Sequence, residues 1–465
     1  MSEQNTDGRE PASNILLYPE QELAGFGRYP RTSARLVPVW EDGQAAATIR
    51  DRGNFSILAR GTGLSYGDAS LNRDNVCLGM SSMDCFLGFD AQAGVVHVEA
   101  GVTLKQILAF AIPRGWFLSV TPGTAHPSIG GSVACDVHGK SKFSMHTYVR
   151  RLHMMLADGS KITCSAVENS DLFYATVGGM GLTGVILSVE LQLMPIKSSY
   201  LMYDGVKADN LDAIFAEFES INGDEWPLTV AWIDCVAQGG KLGRSIMMKG
   251  RFAQPSDLPK GRDALAVMHK PKLVVPFNFP SWTLNKATVS AFNMLYQAKH
   301  PRHLQTIMDY ESFFYPLDAV KHWNRVYGSP GLLQYQFLIP PECGFEGIKA
   351  VLELIAKTGK ASFLAVLKKF GPMENKGLLS FPAPGYFLAL DFPFGDGKLL
   401  ENMEEWDKKV LEFGGRLYLT KDARMKRETF QAMYPRIEQF KEVKAKYDPN
   451  CVFVSDMARR LGLVP

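Results

Sequence analysis

Short runs of alternating apolar and polar residues, separated by glycine-bearing turns, dominate the N-terminal half of the chain. Residues 95–100 (VVHVEA) keep a period of two, and 35–39, 55–59 and 116–120 are short runs of strand composition, so each predicts a strand. Residues 42–52 and 104–113 carry helical spacing instead and predict helices between those strands. Segments 152–156 and 161–165 flank Asp158-Gly159, which predicts a hairpin on a type I′ turn. Residues 185–194 (VILSVELQLM) alternate again. Beyond Pro195, strands at 228–234 and 334–339 mix with a helix at 345–357. A helix at 398–413, a strand at 416–420 and a basic helical segment at 424–446 close the chain. Short strands with short helices imply an α+β fold.

Two stretches interrupt this rhythm with small residues: 59–72 (ARGTGLSYGDASLN) and 121–140 (TPGTAHPSIGGSVACDVHGK). Glycines of this density let backbone approach a ligand closely, and two such loops in one domain suggest a dinucleotide. A third glycine run contains a literal G-x-G-x-x-G at Gly179, Gly181 and Gly184. That fingerprint needs a helix after it to receive a pyrophosphate, whereas a strand pattern follows here, so a Rossmann unit is rejected.

A length of 465 residues favours two domains. Lys and Arg number 50 against 48 acidic residues, with no basic block, which argues against nucleic acid as a partner. Seven cysteines show neither paired nor metal-like spacing, so reduced thiols are expected, with no disulfide and no metal. The polar N-terminus lacks a secretory pattern and no apolar run reaches the ~18 residues of a spanning helix, which reads as a cytoplasmic protein. Residues 270–303 interleave Lys270 and other basic residues with Phe277, Phe279, Trp282 and Tyr296. That stretch is read as a partly buried loop and helix, and it leaves a peripheral contact with the inner membrane open.

Four stretches carry a resemblance: RGTGLSYGDASLN, SIGGSVACDVHGK, DLFYATVGGMGLTGVI, and RLYLTKDAR with the later FQAMYPRIEQF and FVSDMARRLGL. On these the chain resembles flavoenzymes of the vanillyl-alcohol-oxidase (PCMH) type and, within them, the decaprenylphosphoryl-ribose 2′-oxidase family, flavoprotein half of a two-step epimerase. The resemblance implies a two-part FAD-binding domain at 14–196, a mixed α/β cap or substrate domain at 197–412, and a C-terminal segment, 413–465, returning to the FAD domain. It implies that the first loop wraps the cofactor pyrophosphate through Ala59, Arg60, Gly61, Thr62, Gly63, Leu64, Ser65, Tyr66, Gly67, Asp68 and Ala69. Gly123, Ser128, Ile129, Gly130, Gly131, His138, Gly139, Lys140 and Ser141 would line it along the second loop, with Ile186 and Tyr418 touching it from elsewhere. Several relatives attach flavin through a histidine in the first loop. Leu64 holds that place here, so dissociable FAD is expected, with His138 as a second attachment candidate.

The chemistry implied is removal of a hydroxyl proton and of a hydride, converting the 2′-hydroxyl of a polyprenyl-phosphoryl-β-D-ribose to a keto group, on the way to the D-arabinose form. An ammonium suits the negative charge that develops on reduced flavin, and Lys421 in Tyr-x-x-Lys-Asp is the choice. Tyr66 lies near the flavin in this reading, and His138 is a chemically sensible base, although a histidine satisfied by backbone reads equally well. Lys140 and Lys368 would meet the phosphate or sugar hydroxyls, Gln334 and Gln336 offer amides, and Trp232 packs on the sugar. The resemblance further implies a separate NAD(P)H-dependent keto-reductase as partner. A soluble alditol, aldonolactone or sugar is the alternative substrate. Two departures touch the pocket: Phe387 and Ala389 stand where the family pattern has Asn and Cys. They make the wall more apolar and bear on substrate identity more than on reaction type.

Overall fold

The computed structural model describes residues 14–464 except 269–272, 281–282, 363 and 396, so Lys270 and Trp282 lie outside the described residues. A small mixed sheet comes first, with Glu20–Ala24, Arg31–Pro38, Val76–Gly79 and Ile57–Arg60 in that order. Its last three strands are parallel, which requires a crossover. Helix Asp42–Arg50 supplies it by burying Ala45, Ala46 and Ile49 with Val37, Ile57 and Val76.

An antiparallel sheet follows, in the order Phe86–Asp90, Val95–Glu99, Val185–Pro195, Val149–Met155 and Lys161–Cys164. Alternation sorts its faces: Val96, Val98, Val189, Leu191, Leu152 and Met154 enter one core with helix Leu104–Ala111, while His97, Glu190 and His153 stay partly exposed. That helix starts on a reciprocal capping box between Thr103 and Gln106. The glycine run 178–184 leads from helix Ser170–Thr176 straight into the strand Val185–Pro195, as the alternation required.

The hairpin about Asp158-Gly159 forms, but its turn is not type I′. Only Gly159 has a positive φ (+79°), and its N–H donates to Leu156 O at 3.0 Å while Leu156 N–H donates to Ser160 O at 2.9 Å. A three-residue loop built on a type I turn with a left-handed glycine needs only one such residue, so Asp158 keeps an ordinary φ.

The third sheet has eight strands, all antiparallel: His303–Asp309, Tyr200–Ala208, Ser245–Phe252, Leu228–Ile233, Ala365–Phe370, Gly385–Pro393, Leu332–Ile339 and Arg416–Leu417. Helices Leu211–Ser220, Gly344–Thr358 and Gly397–Glu412 cover one face, meeting Leu333, Tyr335, Phe337, Leu388, Leu390 and Phe392 in a single core. Trp406 is its largest buried side chain, with Tyr335 and Phe392 rings each 5.3 Å away.

Two expectations near the C-terminus need correction. The strand stops at Leu417 and turns, Lys421 N–H donating to Tyr418 O at 3.0 Å. The basic helical segment is two helices, Arg427–Met433 and Ile437–Tyr447, because Pro435 lies between them and has no N–H to continue the ladder. The tail then reaches the first sheet, where Phe453 bridges to Ile57 and the Arg460 guanidinium grips Asp68 with two 2.8 Å bonds. Lys444 pins this return. Buried to 3% exposure, it donates to Leu182 O, Phe453 O and Asp448 Oδ2 at 2.8, 2.8 and 2.6 Å. Removing one partner of a buried pair strands the other, so Lys444→Met should lower unfolding free energy by about 3–5 kcal/mol in urea titrations.

Candidate active site

A cavity of about 1160 Å³ opens where the three sheets meet. Its floor is the two glycine loops, which touch each other: a Cβ at Gly61 would lie 2.1 Å from Ser128 Oγ. Gly63 has φ +67°, and a side chain there would strike the Arg60 guanidinium at 2.4 Å. Gly130 sits against Ala100, and Gly139 against Thr121 O, so bare backbone faces the cavity along both loops. A slot of this size, lined by two glycine-bearing loops and small residues, fits a flat dinucleotide bearing a pyrophosphate.

Most of the predicted loop residues line the cavity: Ala59, Gly61 to Tyr66, Ala69, Gly123, Ser128, Gly130, Gly131 and His138 to Lys140, with Ile186 and Tyr418. Five do not. Arg60 turns back to Ser70 O and Ala24 O at 2.7 Å each and braces the loop from behind. Gly67 is pressed on Asp422 O, Asp68 is taken by Arg460, and Ile129 is fully buried in the core of the second sheet. Ser141 bridges to Leu228, and its carbonyl accepts from Lys368.

The roof is the open face of the eight-stranded sheet. Register sets Trp232 beside Val366, Val366 beside Ala389, Ala389 beside Gln336, Lys368 beside Phe387, and Gln334 beside Asp391. All the predicted substrate residues (Lys140, Trp232, Gln334, Gln336, Lys368, Phe387, Ala389 and Lys421) therefore line one cavity. Arg416–Leu417 and the turn after it carry Tyr418 and Lys421 to the edge of that roof, where the Tyr418 hydroxyl donates to Cys135 O at 2.8 Å.

Burial governs the charges. It pushes Lys421 down to about 8 against the pull of Asp391, and its Nζ stands 3.6 Å from the Tyr66 ring centroid. Lys140 is likewise pushed to about 8, with Nζ donating to Phe314 O at 3.3 Å. Lys368 is driven well below its ordinary value by burial and then by Lys140, and it donates to Gly139 O and Ser141 O. Through these two bonds Lys368 fastens the second loop to the roof. Burial, with Lys368 beside it, lowers His138 to about 3. The neutral ring accepts from the Gln336 amide at 2.7 Å through Nε2, which leaves Nδ1 buried without a partner among the described residues.

Sequence reading missed several residues of this site. Phe313, Phe314 and Phe292 line it from the cap with no local motif to mark them, and Tyr296, read only as part of the basic and aromatic stretch, joins them. Asp391 behind Gln334 was legible in principle, because it continues the period-two series of Phe387 and Ala389. The seven cysteines are free thiols. Away from the cavity, His97, His153 and Glu190 cluster on the second sheet, their polar atoms engaged with Ser188, Thr163 and one another.

The FAD binding domain family matches residues 39–165, and the D-arabinono-1,4-lactone oxidase family matches residues 393–461. With the cavity between those two regions, the fold and site define an FAD-dependent oxidoreductase acting on a CH–OH group. The decaprenylphosphoryl-beta-D-ribose oxidase of Mycolicibacterium smegmatis is 37% identical over 96% of this chain and 98% of its own length, and the chain belongs to that family. An uncharacterized protein of Streptomyces coelicolor is 31% identical over 78% of this chain and all of its own. Mouse L-gulonolactone oxidase is 25% identical over 94% of this chain and 96% of its own.

Gly61→Ala drives a methyl into Ser128. Overpacking of this kind should cost about 1–3 kcal/mol. It should appear as weaker retention of FAD in equilibrium dialysis, with an unchanged far-ultraviolet spectrum.

Proposed function

We propose that this chain oxidises the 2′-hydroxyl of a polyprenyl-phosphoryl-β-D-ribose to the 2′-keto sugar, the first half of an epimerisation to the D-arabinose form. One observation carries the reading: the polar roof residues Gln334, Gln336 and Lys421 share a cavity with the apolar side chains Phe292, Leu304, Met308 and Phe313. A sugar needs the first set and a prenyl chain the second. Bound FAD supplies the hydride acceptor; the residues that would hold it are those of the two glycine loops. Lys421 stabilises negative charge beside it, and Tyr66 under that ammonium keeps water away. Lys140 is the cavity ammonium for the phosphate, because the Lys368 amine is committed to backbone carbonyls. Leu64 in place of an attachment histidine supports dissociable FAD. The keto product calls for a separate NAD(P)H-dependent reductase.

The same lipid places the protein on a membrane surface. Phe292 and Tyr296 of helix Lys286–Lys299 line the cavity, while Met294 and Leu295 of that helix, with Leu273, Val274 and Phe277, are exposed. Lys286 and Lys299 flank this apolar face at the two ends of the helix. No helix among the described residues is long and apolar enough to cross a membrane. Peripheral docking through this face lets a prenyl chain pass from bilayer to cavity. Co-flotation with anionic phosphatidylglycerol vesicles should be seen for the wild type and lost in Met294→Glu/Leu295→Glu; flotation of both forms alike removes this face from the reading.

Anaerobic addition of a short-chain polyprenyl-phosphoryl ribose should bleach the visible flavin band, and acid precipitation should leave FAD in solution. Lys421→Met should slow bleaching by about 10²–10³-fold. The ammonium is the active form, so the rate should fall as pH rises through about 8, and the variant should lose that limb. Bleaching by simple polyols or aldonolactones, with none by the lipid, selects the soluble-sugar oxidase instead.

A further inference from the structure

Asp391 lies directly across the strand pair from Gln334, fully buried behind the cavity roof. Its Oδ1 accepts from the Gln334 amide, whereas Oδ2 is buried without a hydrogen-bond partner among the described residues. An unpartnered carboxylate oxygen weakens the fold. Burial lifts this carboxyl to about 7, so stability falls as pH rises from the ordinary carboxylate range through about 7. A group that costs stability where the chemistry is assembled points to function rather than architecture.

Its contacts say what it acts on. An ionised carboxylate only accepts, so Gln334 turns its NH₂ to Asp391 and its carbonyl the other way. Lys421, over the Tyr66 ring, is held toward its charged form by the same carboxylate, and Tyr66 and Tyr327 are the other titratable groups among the described residues that sense it. We propose that Asp391 is a positioning residue for the oxidation, fixing which end of the Gln334 amide faces the cavity and keeping Lys421 an ammonium beside the flavin. This rests on the cavity being the flavin and sugar site.

The test is Asp391→Asn in the FAD-loaded protein, read three ways. Sulfite adds to oxidised flavin and leaves negative charge near N1 and O2, so its affinity reports the cation held there without any sugar. Expected are an unchanged or higher Tm, since a buried charge is removed, and sulfite binding weakened about 10-fold or more with kcat down about 10²-fold and KM within about 3-fold. In a Lys421→Met background the same substitution should leave sulfite affinity unmoved, because the two act as a unit. A lower Tm or a misfolded variant makes Asp391 architectural and overturns the proposal, as does unaltered sulfite affinity with unaltered kcat. If the wild type fails to oxidise the ribose lipid, the proposed substrate falls, while the sulfite and Tm readings still decide Asp391.

Discussion

Strand side chains have a period of two, and in the eight-stranded sheet that constraint separates architecture from chemistry. Leu333, Tyr335 and Phe337 go to the helices, and Gln334 and Gln336 to the cavity; Leu388 and Leu390 go to the helices, and Phe387, Ala389 and Asp391 to the roof. A slip of one residue would put two amides and a carboxylate into an aromatic core. The helix-side core, worth about 1.5–3 kcal/mol for each large apolar side chain buried, therefore holds the polar register against the cost of desolvating it.

The polar groups thus placed are few and poorly solvated, and burial decides what each can do. Three lysines share the cavity walls, yet they are not equivalent. Lys368 is fastened to two carbonyls and driven well below its ordinary value, whereas Lys140 and Lys421 stay at about 8 and can carry charge at neutral pH. His138, lowered to about 3, cannot be a cation there, and its Nε2 already accepts from Gln336. A base role for it would need that bond released, so its geometry speaks for orienting Gln336.

Alternation and glycine spacing made the strands at 95–100 and 228–234, the helices at 42–52 and 104–113 and the two glycine loops readable before any coordinates. The strand after the third glycine run was read correctly for the same reason, since VILSVELQLM cannot bury one helical face. What escaped was set by contacts distant in sequence. Arg60, Gly67 and Asp68 sit inside a glycine loop, but their partners are Ala24, Asp422 and Arg460, and no local pattern announces that they face away from the cavity. The aromatic cap residues Phe313 and Phe314 read as ordinary core until the chain closes over Lys140. The Asp158 turn failed for a local reason: Asp-Gly permits two loop lengths, and only the strand register chooses between them.

The apolar wall and the electrostatics are one device. Phe387 approaches the His138 ring edge-on at 5.0 Å, packs on Phe370 at 5.0 Å, and lies 5.9 Å from Lys368 Nζ. An amide at that position would bring a dipole able to solvate either group. With phenylalanine there, and alanine two residues on, nothing on that strand between Tyr386 and Asp391 can hydrogen-bond through a side chain. Desolvation is the leading cause of the low values of both His138 and Lys368, so these two residues help hold the pocket's interior neutral. The charge that remains at that end of the roof is confined to Lys421 and Asp391, next to where a flavin would develop its own.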